Sequence, residues 1–161
     1  MPIARVRDFL DAHHVRYTAI QHSKAYTAQG IAAITHIPGR ELAKTVIVRA
    51  DSGFAMAVLP SSRWVDLAAL KKELGAAKVE LASEFEFDSR FPDCETGAMP
   101  PFGNLYEMPV LVDASLAADD EIAFNAGSHY EVIRMKYADF ADVVKPRVLH
   151  FATRPASAAA H

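Results

Sequence analysis

Apolar positions recur along this chain with two periods, and the switches between them mark out its elements. Val6, Phe9, Leu10 and His13 fall at helical spacing among Arg5, Arg7, Asp8 and Asp11, which predicts an amphipathic helix over residues 3–13. A strand is expected over 15–20. A second helix is expected over 27–34, with Thr27 near its cap and Gly30 weakening its middle. His36-Ile37-Pro38-Gly39 reads as a turn. Two apolar runs, 42–48 and 54–59, flank Asp51-Ser52-Gly53 and predict an antiparallel hairpin. Nearly every residue in both runs is apolar, so burial on both faces is expected. Asp66 caps a helix over 67–74, which Gly75 closes. Residues 80–90 fit either period; Leu81 and Phe85 tip the expectation towards helix. Strands follow over 108–112, 121–126 and 131–135, with one helical turn over 113–116. The last two strands flank Gly127-Ser128-His129-Tyr130, which has hairpin length. A helix over 137–144 ends before Pro146, and a final strand is expected over 147–151.

Helices and strands are mixed without strict βαβ alternation, and hairpins are frequent. This predicts an α+β fold around a mixed or antiparallel, curled sheet. No repeat or linker divides the chain, so residues 1–153 are read as one domain and 154–161, rich in Ala and Ser, as a frayed tail. At 161 residues and 51% hydrophobic, the chain is large enough for one real core. Its net charge of −3 means that a nucleic-acid ligand has to be met by a local basic patch. Cys94 is the single cysteine, which excludes an intramolecular disulfide and fits a reducing cytoplasm. No apolar run approaches the ~20 residues of a membrane span, and no signal-peptide core follows the N-terminus.

One stretch fits neither period. In Thr96-Gly97-Ala98-Met99-Pro100-Pro101-Phe102-Gly103-Asn104, two prolines exclude a helix interior and a central strand. A stiff loop remains. Gly97 admits backbone angles closed to other residues, and Pro100 and Pro101 lower the entropy lost in holding one shape. Such a loop serves as a structural turn or as a holder for a small polar group.

Two further features carry candidate chemistry. Lys44 interrupts the most apolar strand; it either pairs with a carboxylate such as Glu41 or projects into a cleft to meet an anion. Gly127-Ser128-His129 puts two polar side chains at a hairpin tip. A Ser128–His129–Asp113 triad is disfavoured, because adjacent Ser and His rarely reach the required geometry and no Gly-x-Ser-x-Gly elbow is present. Cys94 sits between Asp93 and Glu95, whose charge disfavours a thiolate. No His-x3-His pair, phosphate loop or dinucleotide fingerprint occurs, so neither a metal nor a cofactor is expected.

Three segments in this order, Ala43-Lys44-Thr45-Val46, Gly97-Ala98-Met99-Pro100-Pro101-Phe102-Gly103 and Phe124-Asn125-Ala126-Gly127-Ser128-His129, resemble the YbaK/prolyl-tRNA-synthetase-associated domain family. The resemblance runs from the first helix to about Pro146. It implies a mixed, partly barrel-like β-sheet with surrounding helices, and a free-standing deacylase that hydrolyses the ester of mischarged aminoacyl-tRNA in the cytoplasm. A synthetase partner is plausible on the same grounds. It implies that Lys44 contacts the terminal phosphate or adenosine, with Thr45 beside it. The loop Gly97, Ala98, Met99, Pro100 and Pro101 would hold the aminoacyl group through backbone contacts, and Gly127, Ser128 and His129 would line the same pocket. Ile34, Met99 and Phe102 are expected to set its size. Lys44 and both loops should therefore converge on one cleft. Two rivals stand: a non-catalytic tRNA- or partner-binding module of the same fold, and a small-molecule ester or thioester hydrolase using Cys94 or Ser128.

Overall fold

A computed structural model describes residues 4–23, 30, 35–51 and 53–153. The expected tail (154–161), Ile34 and, apart from Gly30, the expected helix over 27–34 lie outside the described residues. The first helix is α1 (Ala4–Ala12), with Val6 and Leu10 buried, and β1 (Tyr17–Gln21) follows it. The expected hairpin is present as β2 (Ala43–Ala50) and β3 (Gly53–Pro60), paired antiparallel from Ala43↔Pro60 to Ala50↔Gly53. After β4 (Trp64–Val65), Asp66 accepts a hydrogen bond from the Ala69 amide at 3.1 Å and starts α2 (Leu67–Leu74). Gly75 ends that helix at φ 64°. This pair of caps follows the expected start and stop chemistry.

The expected helix over 80–90 is corrected by the structure. Val79–Leu81 is a strand, β5, and only Glu84–Phe87 is α-helical (α3), followed by a 3-10 turn over Asp88–Arg90. The reason is non-local: Val79–Leu81 pairs with the edge of β2 at Val48–Ala50, satisfying backbone groups that a helix would leave unpaired. The rest follows as β6 (Val110–Asp113), α4 (Ala114–Ala117), β7 (Glu121–Asn125), β8 (Glu131–Lys136), α5 (Tyr137–Val144), β9 (Arg147–Leu149) and β10 (Ala152–Thr153).

The fold is α+β. A five-stranded mixed sheet runs β5-β2-β3-β6-β9, with β3, β6 and β9 parallel. An antiparallel sheet runs β1-β8-β7, and β4 pairs with β10. The bridge Leu42↔Ala123 joins the two larger sheets, which curve around a shared core without closing into a barrel. That core holds Val6 and Leu10, the β2–β3 residues Ala43, Ile47, Met56 and Val58, and an aromatic cluster. Phe102 sits in the cluster at 5.3 Å from Phe124 and 5.7 Å from Phe140, both edge-on, a favoured aromatic geometry. A second cluster covers the opposite face of the five-stranded sheet with Val48, Ala57, Leu59, Leu70 and Phe151.

Asp113 fastens this outer layer. Its carboxylate accepts the amides of Phe151 (2.7 Å), Ala152 (2.8 Å) and Ser115 (2.9 Å). Burial alone would raise its pKa, but these hydrogen bonds and the one from the Ser115 hydroxyl outweigh burial and hold the carboxyl below its ordinary range.

Candidate active site

The Gly-Pro stretch is irregular, as its prolines require, but it is not a displayed loop. Ala98, Met99, Pro100, Pro101, Phe102 and Gly103 are all buried; Thr96 and Gly97 are exposed. Gly97 adopts φ 85° and Gly127 φ 97°, the left-handed region that glycine enters without strain. The two loops are knitted together through the backbone. Gly127 N–H donates to the Ala98 carbonyl (3.0 Å), and Glu95 N–H donates to the Gly127 carbonyl (2.8 Å).

Glu95 and His129 complete that junction. The Glu95 carboxylate accepts the His129 amide at 3.0 Å. The His129 Nε2 lies 2.9 Å from the Thr96 carbonyl. A carbonyl only accepts, so Nε2 carries the proton. A Cβ on Gly97 would stand 3.7 Å from His129 Cε1, which places the imidazole directly against Gly97. Glu95 escaped the sequence reading; its position two residues before Gly97 is the only local signal for it.

Beside this junction the sheet has a gap. On one side β2 is paired with β3 along its whole length. On the other, it meets β7 at Leu42, and β5 from Val48 onwards. Among the described residues no strand pairs with Lys44–Val46 on that side. A cleft of about 230 Å³ opens there. Thr45, Val46 and Ile47 form one side, and Gly97 and Met99 another. Leu81, Ala82, Glu84 and Phe87 close it from the β5–α3 segment. Two larger hollows lie elsewhere. In one, of about 410 Å³, Glu41, Asp119, Asp120 and Glu121 outnumber Arg40 and Arg134, which pair with Glu41 and Glu121. The other, of about 430 Å³, lies beside Arg5, Arg90, Tyr106 and Glu107; neither borders the Gly97 loop or the open edge of β2.

The structure divides the expected site residues. Thr45, Gly97 and Met99 meet in the cleft, and the Gly127–His129 turn supports Gly97 from beneath. Lys44 does not join them. Successive strand side chains alternate between faces. Ala43 and Ile47 point to the inner core, whereas Lys44 pairs across the hairpin with Leu59, a residue of the outer cluster. Its ammonium lies 4.7 Å from the centroid of the Trp64 ring, a cation–π arrangement. Burial lowers its pKa below the ordinary lysine value. Glu41 is not its partner: that carboxylate pairs with Arg134 (3.2 Å) and Arg40 (3.6 Å). Phe102 is likewise turned into the aromatic core, away from the cleft.

Neither alternative nucleophile is prepared. Burial, with Asp93 beside it, pushes the Cys94 thiol up to about 11. Ser128 Oγ accepts the Tyr130 amide at 3.3 Å. Asp113 is committed to the amides of the C-terminal strands, so no triad assembles. Among the described residues, no group of three or more His, Cys, Asp or Glu side chains is arranged to hold a metal ion.

The site is thus a cleft at a gap beside the central hairpin of a curved α+β domain, walled by the Gly-Pro segment. The aminoacyl-tRNA editing domain profile matches residues 22–143, and the chain belongs to that family. It is 33% identical over 97 residues to the multifunctional Ser/Thr-tRNA deacylase ProXp-y of Escherichia coli (strain K12), spanning 60% of this chain and 58% of that protein. It is 25% identical over 142 residues to the prolyl-tRNA editing protein ProX of Acetoanaerobium sticklandii, covering 84% of this chain and 86% of that one. Its fold superimposes on hypothetical protein APE2540 with a TM-score of 0.83, at 18% identity over 92% of this chain and 99% of the other. A candidate trans-editing enzyme for prolyl-tRNA synthetase superimposes at 0.79, with 17% identity over 94% and 97% of the two chains.

Proposed function

We propose that this chain is a trans-acting aminoacyl-tRNA deacylase. It hydrolyses the ester between a wrong amino acid and the tRNA 3′ end, with no cofactor. The observation that carries this reading is the cleft in which Gly97 and Met99 face the unpaired edge of β2, in a chain of the editing-domain family. An aminoacyl ester is already activated, so its hydrolysis asks for positioning and polarisation more than for a strong nucleophile. A cleft of about 230 Å³ suits one aminoacyl group and excludes the tRNA duplex. Ile47 and Met99 give it an apolar wall, Val46 borders it at the strand edge, and Thr45 gives it one polar side chain. Backbone groups at Gly97 and along Lys44–Val46 can orient the ester and the attacking water. Ala98, Pro100 and Pro101 hold that wall in place, and Gly127, Ser128 and His129 brace it.

Lys44 keeps the expected part, a contact to the phosphate of the 3′ end, but from outside the cleft. It flanks the gap from the outer face, where its ammonium can meet a backbone phosphate of the incoming 3′ end. Burial in a weakly solvated site strengthens such a contact. A synthetase partner fits the similarity to part of the proline–tRNA ligase of Bacillus cytotoxicus, 30% identical over 88 residues, which is 55% of this chain and 15% of that ligase. Among the described residues, no helix is long and apolar enough to cross a membrane. A cytoplasmic location accords with a tRNA substrate.

The test is deacylation of a panel of mischarged tRNAs. Release of amino acid above the no-enzyme rate for at least one pairing is expected. An intact ester on every tRNA, with measurable tRNA binding, would replace this reading by a binding module. Turnover of a tRNA-free ester that Cys94→Ala or Ser128→Ala abolishes would replace it by a small-molecule hydrolase.

A further inference from the structure

Phe85 is 97% exposed, although it is a large apolar side chain on a regular helical turn. Its neighbours explain why it cannot fold back. Phe87 is buried and packs edge-on against Phe91, with centroids 6.1 Å apart, which fixes the rotation of α3. Ser83 Oγ accepts the Glu86 amide at 3.3 Å, and Glu86 Oε2 accepts the Ser83 amide at 2.8 Å, a reciprocal capping box. The Glu86 carboxylate also pairs with Arg49 of β2. The turn is therefore clamped at its start, its middle and its end, and the ring it displays is held out in water.

The turn that carries the ring closes one end of the cleft. Glu84 and Phe87, on either side of Phe85 in the chain, both line the opening, and Leu81, 39% exposed, extends the apolar surface. A single-stranded 3′ end whose aminoacyl group enters this cleft carries its terminal nucleoside just outside. A nucleobase offers a flat apolar face, and stacking on an aromatic ring is the usual way proteins hold unpaired bases. The exposed Glu84 carboxylate argues that a base, not a phosphate, lies at this rim. Resting on the deacylase reading above, we propose that Phe85 is the stacking platform for the terminal nucleobase of the tRNA, a binding residue that holds the 3′ end at the cleft without taking part in the chemical step.

The experiment is single-turnover deacylation by wild type, Phe85→Ala and Phe85→Trp across enzyme concentrations. It uses a mischarged tRNA and the same tRNA lacking its terminal base. Phe85→Ala should raise the half-saturating concentration about tenfold, about 1.4 kcal/mol, with the maximal rate within about twofold and Phe85→Trp restored. On the abasic substrate the wild type and Phe85→Ala should coincide. Equal half-saturation on the intact tRNA, or a difference that persists without the base, overturns the proposal. If the wild type releases no amino acid, the deacylase reading falls by itself. The stacking proposal is then read from binding of a CCA-ended oligonucleotide, which Phe85→Ala should weaken and terminal-base removal should weaken equally in the wild type. A dimer seen by sedimentation that Phe85→Ala dissolves would assign the ring to a second copy of the chain and overturn it.

Discussion

The cleft has two unlike walls. One, residues 97–103, is buried from Ala98 onwards and tied by backbone hydrogen bonds to the Gly127–His129 turn. The other, α3, is a single clamped turn that displays Phe85 to water. A buried wall can shape a pocket because its atoms are packed from behind and cannot yield; an exposed wall can only meet what arrives from outside. On the proposed function, acyl-group selection would fall to the first wall and recognition of the nucleic acid to the second. Substitutions on the two walls should part in the same way, the first acting on stability and selectivity, the second on saturation.

The largest effect is expected at Gly103. A Cβ there would lie 2.4 Å from the Met108 carbonyl oxygen and 2.7 Å from a Val110 methyl, and the first of these is backbone that cannot step aside. Gly103→Ala should destabilise the protein by about 3 kcal/mol, the upper part of the range for overpacking, as read by urea denaturation. A loss below about 1 kcal/mol would mean that the buried wall yields. Next is Met99, 6% exposed and facing the cleft. Met99→Ala should lower stability by about 2 kcal/mol, the low end for a buried methionine because the side chain already borders open space. It should also speed the removal of bulkier amino acids relative to smaller ones. Phe85→Ala, on the exposed wall, should leave the denaturation midpoint unchanged.

Lys44 supplies a smaller and pH-dependent effect. Lys44→Ala should raise the half-saturating concentration for tRNA several-fold, and Lys44→Arg should restore it in part. Burial lowers the Lys44 pKa, so in the wild type this tRNA contact should fade as pH rises, before an ordinary lysine would lose its proton. The arginine variant should hold its affinity through that window, because guanidinium stays charged. The stability consequence has the opposite sense. Between the folded and unfolded pKa values the unfolded chain binds more protons, so folding should gain stability as pH rises through that interval. The smallest effect is expected at Cys94, whose thiol is pushed up to about 11. Cys94→Ser should deacylate within about twofold of wild type, since a thiol this far from ionisation supplies no nucleophile at neutral pH. A hundredfold loss would restore the nucleophile model.

What was legible in the sequence was local. The β2–β3 hairpin follows from its turn residues, the α2 caps from Asp66 and Gly75, and the irregular wall from two adjacent prolines. What was hidden depends on partners distant in the chain. β5 is a strand because the edge of β2 needs one, and nothing within Val79–Leu81 announces it. Strand period alone makes Lys44 and Thr45 face opposite ways, but it cannot say which of them faces the cleft; that is settled by the core beneath Ala43 and Ile47. Phe102 looked like a pocket residue because it lies in the Gly-Pro stretch, yet three phenylalanines from α1, β7 and α5 draw it inward.

The central claim is that the ester is hydrolysed where Gly97 meets the open edge of β2. Gly97→Ala tests it most directly. A methyl group there has ordinary clearance from His129, at 3.7 Å, but φ 85° is strained for alanine, so the wall shifts locally while the fold survives. The measurement is the maximal single-turnover rate of deacylation of a mischarged tRNA, with circular dichroism as the folding control. The account predicts a fall of at least about tenfold, roughly 1.4 kcal/mol of barrier, with the spectrum unchanged. A wild-type rate from a folded Gly97→Ala variant would contradict it and place the chemistry elsewhere on the molecule.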